Sequence, residues 1–271
     1  MDRKFSSLVP LIFFTAVMSM AVALALPAAA HPEKLLFPAF LLGAAALLIS
    51  LLHLGKKRRA PLALLGLGRS WLSREVFLAG GFVCAAGIGV LDPGPAAGGV
   101  AALSGLATVA AFSRVYHLPG QIGWRGWPHT LSPVTATLLA GAATHLAVLE
   151  TGRAFAAALL VILVAMDAGL AVKRRASLAR RLRDSDRRLA FPGLAEAGRR
   201  LFPVRFFLVI PAGAAVLFCP VPWRWTGLLV FGLVILADRF TFYAGAARET
   251  PRMALEEIRR ERMNRAGNGV T

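Results

Sequence analysis

The chain has few acidic residues and few cysteines, and each shortage limits what it can be. Its 271 residues include 14 aspartates and glutamates against 31 lysines and arginines, and only 17% are charged, where a soluble domain carries about 25%. The two cysteines, Cys84 and Cys219, lie alone in apolar runs and form no CxxC motif. The sequence therefore carries no signal for an iron–sulfur cluster, a zinc site or a c-type haem.

What is abundant is apolar sequence, which makes up 57% of the chain and is gathered into long runs. A helix needs about 20 apolar residues to cross a bilayer core, and the alternating pattern of a membrane barrel is missing. We therefore predict an all-α fold, a polytopic membrane bundle of about eight transmembrane helices. The runs cover residues 8–30, 35–54, 76–91, 99–112, 131–149, 154–172, 206–221 and 226–247.

The domain organisation follows from these runs. We expect residues 1–250 to form a transmembrane helical domain and residues 251–271 a charged cytoplasmic tail. The longest connection, residues 173–205, holds 11 lysines and arginines. It is predicted to be a basic loop, either solvated or forming a helix on the membrane surface.

The positive charge is distributed very unequally between the two sides of the membrane. With eight passes, one side receives only Lys34, Arg153 and Arg224, which leaves 28 of the 31 basic residues for the other. The positive-inside rule then places both termini in the cytoplasm. Because the basic residues flank membrane runs, we expect membrane lipids, and no nucleic acid, as partners of this charge.

Ionisable groups near helix ends are the candidate functional residues, because charge inside a membrane helix is costly. His53 ends the second run and Glu75 begins the third, so both face the same cytoplasmic interface. A histidine can donate to a quinone carbonyl and a carboxylate can take up a proton. The competing interpretation is that His53 caps a helix while Glu75 pairs with Arg74 or Arg59. A supporting polar cluster is predicted at the same face: Arg59, Arg74, Arg114, Tyr116, His117, Asp238, Arg239 and Tyr243.

Five segments of the chain, taken in order, form a family-like pattern: Leu52-His53-Leu54-Gly55 with Arg59-Ala60, Ser70-Trp71-Leu72-Ser73-Arg74-Glu75, Arg114-Val115-Tyr116, Thr130-Leu131-Ser132-Pro133 and Arg239-Phe240-Thr241-Phe242-Tyr243. Together they resemble the membrane anchor subunit of DMSO reductase and its relatives. The resemblance covers nearly the whole chain and includes the spacing from His53 to Glu75.

The resemblance implies a heterotrimer in which the anchor holds an iron–sulfur subunit and a molybdopterin catalytic subunit on the bacterial inner membrane. It further implies that the chain binds menaquinone or ubiquinone, with no haem or iron–sulfur cluster of its own, and that His53 and Glu75 form the quinone site. Substrate chemistry would then take place on another subunit. Similar anchors serve sulfite-oxidising complexes, and the charge asymmetry favours that cytoplasmic arrangement.

Two other functions compete with a quinone-binding anchor. A di-haem b-type cytochrome needs histidine pairs at matched depth, and His53 with His117 supplies one pair while His145 has no partner near the other face. A small transporter would need broken helices and polar groups at the midplane. Pro211 interrupts one run, but no paired break appears in the sequence.

Overall fold

The computed structural model describes residues 9–52, 66–115, 127–149, 152–183 and 192–244, and nearly all of them are helical. The described part contains eight α-helices and a short 3-10 turn at Leu26–Ala29, which confirms the all-α prediction. The helices are α1 Val9–Ala25, α2 Pro32–Leu52, α3 Trp71–Leu91, α4 Pro95–Val115, α5 Trp127–Val148, α6 Arg153–Arg183, α7 Pro192–Phe218 and α8 Val221–Ala244.

Seven of these helices are long and apolar enough to cross a membrane. The runs at 76–91 and 99–112 are short in the sequence, but the helices extend them to Trp71–Leu91 and Pro95–Val115. The helix that falls short is α7, whose apolar part covers only Phe207–Phe218. The protein is therefore a multi-pass membrane protein, with seven spans supported by length and composition and an eighth helix, α7, packed beside them.

Consecutive helices pack as antiparallel hairpins, which places every second helix end on the same side. The pairs α1–α2, α3–α4, α5–α6 and α7–α8 each share a long contact. Between α5 and α6 the chain turns at Gly152, whose φ of 67° lies in the left-handed region that suits glycine. We call the side where α1, α3, α5 and α7 begin the basic end, and the other side the opposite end.

The bundle has two apolar cores that share α1. One core is built from α1 to α4 and includes Met18, Val22, Phe82 and Phe112. The other is built from α5 to α8, and α1 contributes Ala16 and Ala23 to it. The middle of the bundle is therefore α1 and α5, of which 56% and 72% are buried, against 28% for each of α2 and α6.

The outer surface of the bundle is apolar, as expected for side chains in contact with lipid. Large exposed side chains include Phe37 and Leu48 of α2, Phe155 of α6 and Phe207 of α7. A soluble protein rarely exposes so much contiguous apolar surface. The inner contacts instead use many alanines and glycines, which let membrane helices approach closely.

In the segment predicted as a basic connection, residues 173–205, the described parts are helical. Helix α6 continues to Arg183, and α7 begins at Pro192. Arg174, which the sequence assigned to the loop, is 2% exposed inside the bundle. Burial of this charge is tolerated because the carboxylate of Asp238, from another helix, pairs with it.

Gly98 of α4 lies close to the backbone of the 3-10 turn. A Cβ added at Gly98 would lie 2.6 Å from the carbonyl carbon of Ala28 and 2.7 Å from the amide nitrogen of Ala29. At the next residue, Gly99, an added Cβ would meet nothing within 4 Å. A substitution at Gly99 is therefore a suitable control for the same substitution at Gly98.

We expect Gly98→Ala to lower the free energy of unfolding by about 1–3 kcal/mol, because the new methyl group must push backbone away from backbone. Gly99→Ala should leave stability unchanged or raise it, since alanine is the better helix former. Thermal unfolding in detergent measures both variants. Equal midpoints for the two would contradict the close contact.

Candidate functional site

Glu75 is the buried carboxyl group at the basic end of the first core. It lies on the inward stripe of α3 together with Ala79, Phe82 and Ala86, at helical spacings of four, three and four residues. Its side chain is 2% exposed, and its Oε2 atom accepts no hydrogen bond from any residue that the structure describes. The oxygen therefore lies in an apolar setting with its hydrogen-bonding capacity unused.

An unpartnered buried carboxyl group costs free energy and calls for an explanation. In the described ranges Ser19 of α1 also has a buried oxygen without a partner, but a neutral hydroxyl group is cheaper to bury. The neighbours on the stripe are apolar, and the core that Ala79 and Phe82 join also contains Ala46 of α2 and Phe112 of α4. Nothing on the stripe after Glu75 offers it a hydrogen bond.

Arg74 does not neutralise Glu75, although the two are adjacent in sequence. Its Nε donates to the Leu67 carbonyl oxygen at 2.9 Å and its Nη2 to that of Gly68 at 3.2 Å. Its guanidinium also stacks on the ring of Trp71, 4.6 Å from the centroid. The pairing of Glu75 with Arg74 that the sequence left open is therefore not formed, because Arg74 holds the turn before α3.

Four of the predicted site residues lie outside the described residues: His53, Arg59, Tyr116 and His117. Their predicted roles stay predictions, as does the alternative pairing of Glu75 with Arg59. Helix α2 ends at Leu52, directly before His53, and does so at the basic end where α3 begins. The helices α2 and α3 pack against each other.

A second group of buried charges lies at the basic end of the other core. Among the described residues, three donors bind the carboxylate of Asp238: Oδ1 accepts from Arg174 Nη1 at 2.6 Å and from Ser132 Oγ at 2.8 Å, and Oδ2 accepts from Arg239 Nη2 at 2.9 Å. Arg174 Nη2 also donates to Thr241 Oγ1 at 3.4 Å. We call Ser132, Arg174, Asp238, Arg239 and Thr241 the charge cluster.

Every member of the charge cluster is less than one-twentieth exposed, so the cluster is an ion-pair network within the membrane span. It ties together α5, α6 and α8, each of which contributes at least one member. Charged groups are tolerated at such positions when they pair with one another. The cluster therefore fixes the relative positions of these three helices.

Aromatic side chains surround the charge cluster on α8 and α5. The guanidinium of Arg239 lies 6.0 Å from the centroid of the Phe242 ring. Phe242 packs edge-on against Tyr243 at 5.3 Å and against His129 at 6.4 Å. Tyr243 and Phe242 also contact Ile12 of α1, which joins this aromatic group to the central helix.

The sequence indicated Asp238, Arg239 and Tyr243 as site residues, but it missed Arg174 and His129. The signal for Arg174 was present: it continues the inward stripe of α6 through Leu163, Asp167 and Leu170. A run rich in arginine is most often solvated, and that rule outweighed the helical spacing. His129 is buried two residues into α5.

The two polar groups lie in different halves of the bundle. Helix α3 makes its main contacts with α2 and α4, whereas the charge cluster joins α5, α6 and α8. The structure thus brings together Asp238 and Arg239, with Tyr243 beside them, and places Glu75 and Arg74 in the first half. Arg114 is exposed at the end of α4.

At the opposite end the arginines cap helices and form no comparable cluster among the described residues. Arg153 Nη1 donates to the Leu146 carbonyl oxygen at 3.0 Å, and Arg224 Nε donates to that of Cys219 at 3.1 Å. Cations at helix C-termini satisfy the last carbonyl groups. The candidate site therefore remains at the basic end.

No family model matches the sequence, and no curated protein matches it as a relative. Within the described ranges, no three His, Cys, Asp or Glu side chains form a group that could hold a metal ion. The functional proposal therefore depends on the placement of individual residues.

Replacing Asp238 with asparagine tests the charge cluster. The substitution leaves two buried guanidinium groups without their shared negative charge, and breaking such a network costs about 3–5 kcal/mol. We expect a clearly lower midpoint of thermal unfolding in detergent. Asp92→Asn is the matched control, because Asp92 is an exposed acid at the end of α3. Similar midpoints for both variants would show that the cluster does not hold the helices together.

Proposed function

We propose that this chain is the membrane anchor subunit of a molybdopterin oxidoreductase complex, of the DMSO reductase or sulfite dehydrogenase type. In this role it binds quinone or quinol at the basic end and passes electrons between the quinone pool and a peripheral iron–sulfur subunit. The observation that supports the proposal most directly is the buried, unpartnered carboxyl oxygen of Glu75.

Glu75 has the properties that proton exchange with a quinol requires. A quinol must lose protons as it is oxidised, and a carboxyl group within reach can take one up. The setting of Glu75 is apolar, and among the described residues no donor occupies Oε2, which could therefore accept a hydrogen bond from a quinol hydroxyl group. His53, placed by sequence directly after α2, would hold the quinone carbonyl as a hydrogen-bond donor.

The proposed role also implies two partner subunits and a particular membrane. The iron–sulfur and molybdopterin subunits would sit at the basic end, where charge complementarity favours an acidic partner. The membrane is the bacterial inner membrane, with the basic end in the cytoplasm. The quinone, menaquinone or ubiquinone, supplies the redox chemistry, and the residues of this chain orient it and exchange protons with it.

The quinone site is tested by binding of a fluorescent hydroxyquinoline N-oxide, a quinol analogue, to the purified chain. We expect Glu75→Gln and His53→Ala each to weaken binding, and to lower quinol-dependent electron transfer in membranes by about 10²-fold or more. Glu75→Gln should leave the unfolding midpoint unchanged or raise it, because it removes a buried carboxyl group that has no partner among the described residues.

Glu33→Gln is the matched control for Glu75→Gln. Glu33 is an exposed acid at the opposite end, where its Oε1 lies 3.1 Å from His31 Nδ1, so binding should match that of the native chain. If Glu75→Gln and His53→Ala both bind the analogue as the native chain does, the quinone site is excluded and a transporter becomes the better interpretation.

The orientation of the chain in the membrane can be tested with reporter fusions. Reporter fusions that are active only in the cytoplasm should be active at both termini and at residue 188, in the connection between α6 and α7. Fusions at residue 93, between α3 and α4, should be inactive, because that connection lies at the opposite end. A C-terminus outside the cytoplasm would contradict the proposed arrangement.

A further inference from the structure

Two tryptophans at the basic end each lie under a cation. Trp71 is the first residue of α3 and Trp127 is the first residue of α5, and both are about half exposed. Arg74 stacks on Trp71, and the Lys173 Nζ atom lies 4.3 Å from the centroid of the Trp127 ring. Cation and ring meet at the depth where membrane helices enter the headgroup region.

The two cations differ in how their hydrogen-bond donors are used. The Arg74 guanidinium already donates to two carbonyl groups of the preceding turn. Lys173, in contrast, is exposed, and within the part of the chain that the structure describes its ammonium group has only the ring of Trp127 as a partner. An ammonium group has three N–H donors, so those of Lys173 can bind an acceptor from outside the protein.

The surroundings of Lys173 suit an amphiphilic ligand, because apolar side chains are exposed on the same face of α6. On the outward face of α6, Ile162 and Met166 are about half exposed and lie on the same side as Lys173. Leu131, one turn after Trp127 on α5, is 41% exposed. An apolar strip thus leads from the bilayer up to the ammonium group and the indole ring, while Arg174 points inward to the charge cluster.

We propose that Lys173 and Trp127 form a binding site for the headgroup phosphate of an anionic phospholipid. The ammonium group binds the phosphate, and the outward faces of α5 and α6 hold the acyl chains. A lipid fits better than a soluble anion or an acidic protein, because apolar side chains continue the site towards the membrane centre. The proposal is independent of the quinone site, which lies in the other half of the bundle.

Quenching by brominated lipids tests the site in a variant that keeps Trp127 and carries phenylalanine at the other four tryptophans. In phosphatidylcholine vesicles, brominated phosphatidylglycerol should compete for the surface near Trp127 about fivefold better than brominated phosphatidylcholine, the ratio expected from one interfacial cation. Lys173→Gln should abolish the preference and Lys173→Arg should retain it.

Arg69→Gln is the matched control, since it removes one exposed cation at the basic end next to α3 and should leave the preference unchanged. Inorganic phosphate should not displace the lipid, and loss of the preference on its addition would indicate a soluble-anion site instead. Native mass spectrometry of the chain with all five tryptophans repeats the comparison if the single-tryptophan variant is unstable. Equal quenching by both lipids, or a preference that survives Lys173→Gln, would overturn the proposal.

Discussion

The bilayer interior offers no water to a polar side chain, and this constraint applies to both Glu75 and the charge cluster. Asp238 satisfies it by accepting three hydrogen bonds, two of them from guanidinium groups. Glu75 does not satisfy it with any described residue. Asp238 thus has three donors around it, whereas Oε2 of Glu75 has none among the described residues. That difference is what separates a structural group from a candidate functional group.

Helix α1 makes the division into two halves possible. No charged residue lies between Val9 and Ala25, and a helix that is apolar all round can be buried on every side. It shares one core with α2 to α4 and another with α5 to α8. The half with the charge cluster is tied by ion pairs, whereas in the other half the Oε2 atom of Glu75 accepts no hydrogen bond from a described residue. A carboxyl group that must meet a substrate is better placed in the second kind of setting.

The individual helices show how far sequence reasoning reaches. The apolar runs predicted that these helices exist but not where they end: α3 begins before its run, and α4 extends its run at both ends. Arg174 was misplaced because local composition describes a solvated run. Its burial depends on Asp238, 64 residues further along the chain.

By itself, the sequence determined that this is a helical membrane protein, because that property follows from local composition and the energetics of the bilayer. Only the tertiary structure decided which polar groups meet. Ser132 and Asp238 are 106 residues apart and become partners through the packing of α5 against α8. Arg74 does not pair with Glu75, because its guanidinium group donates to carbonyl groups of the preceding turn. A contact such as that of Ser132 with Asp238 depends on the distance between two helices, which no local pattern in the chain encodes.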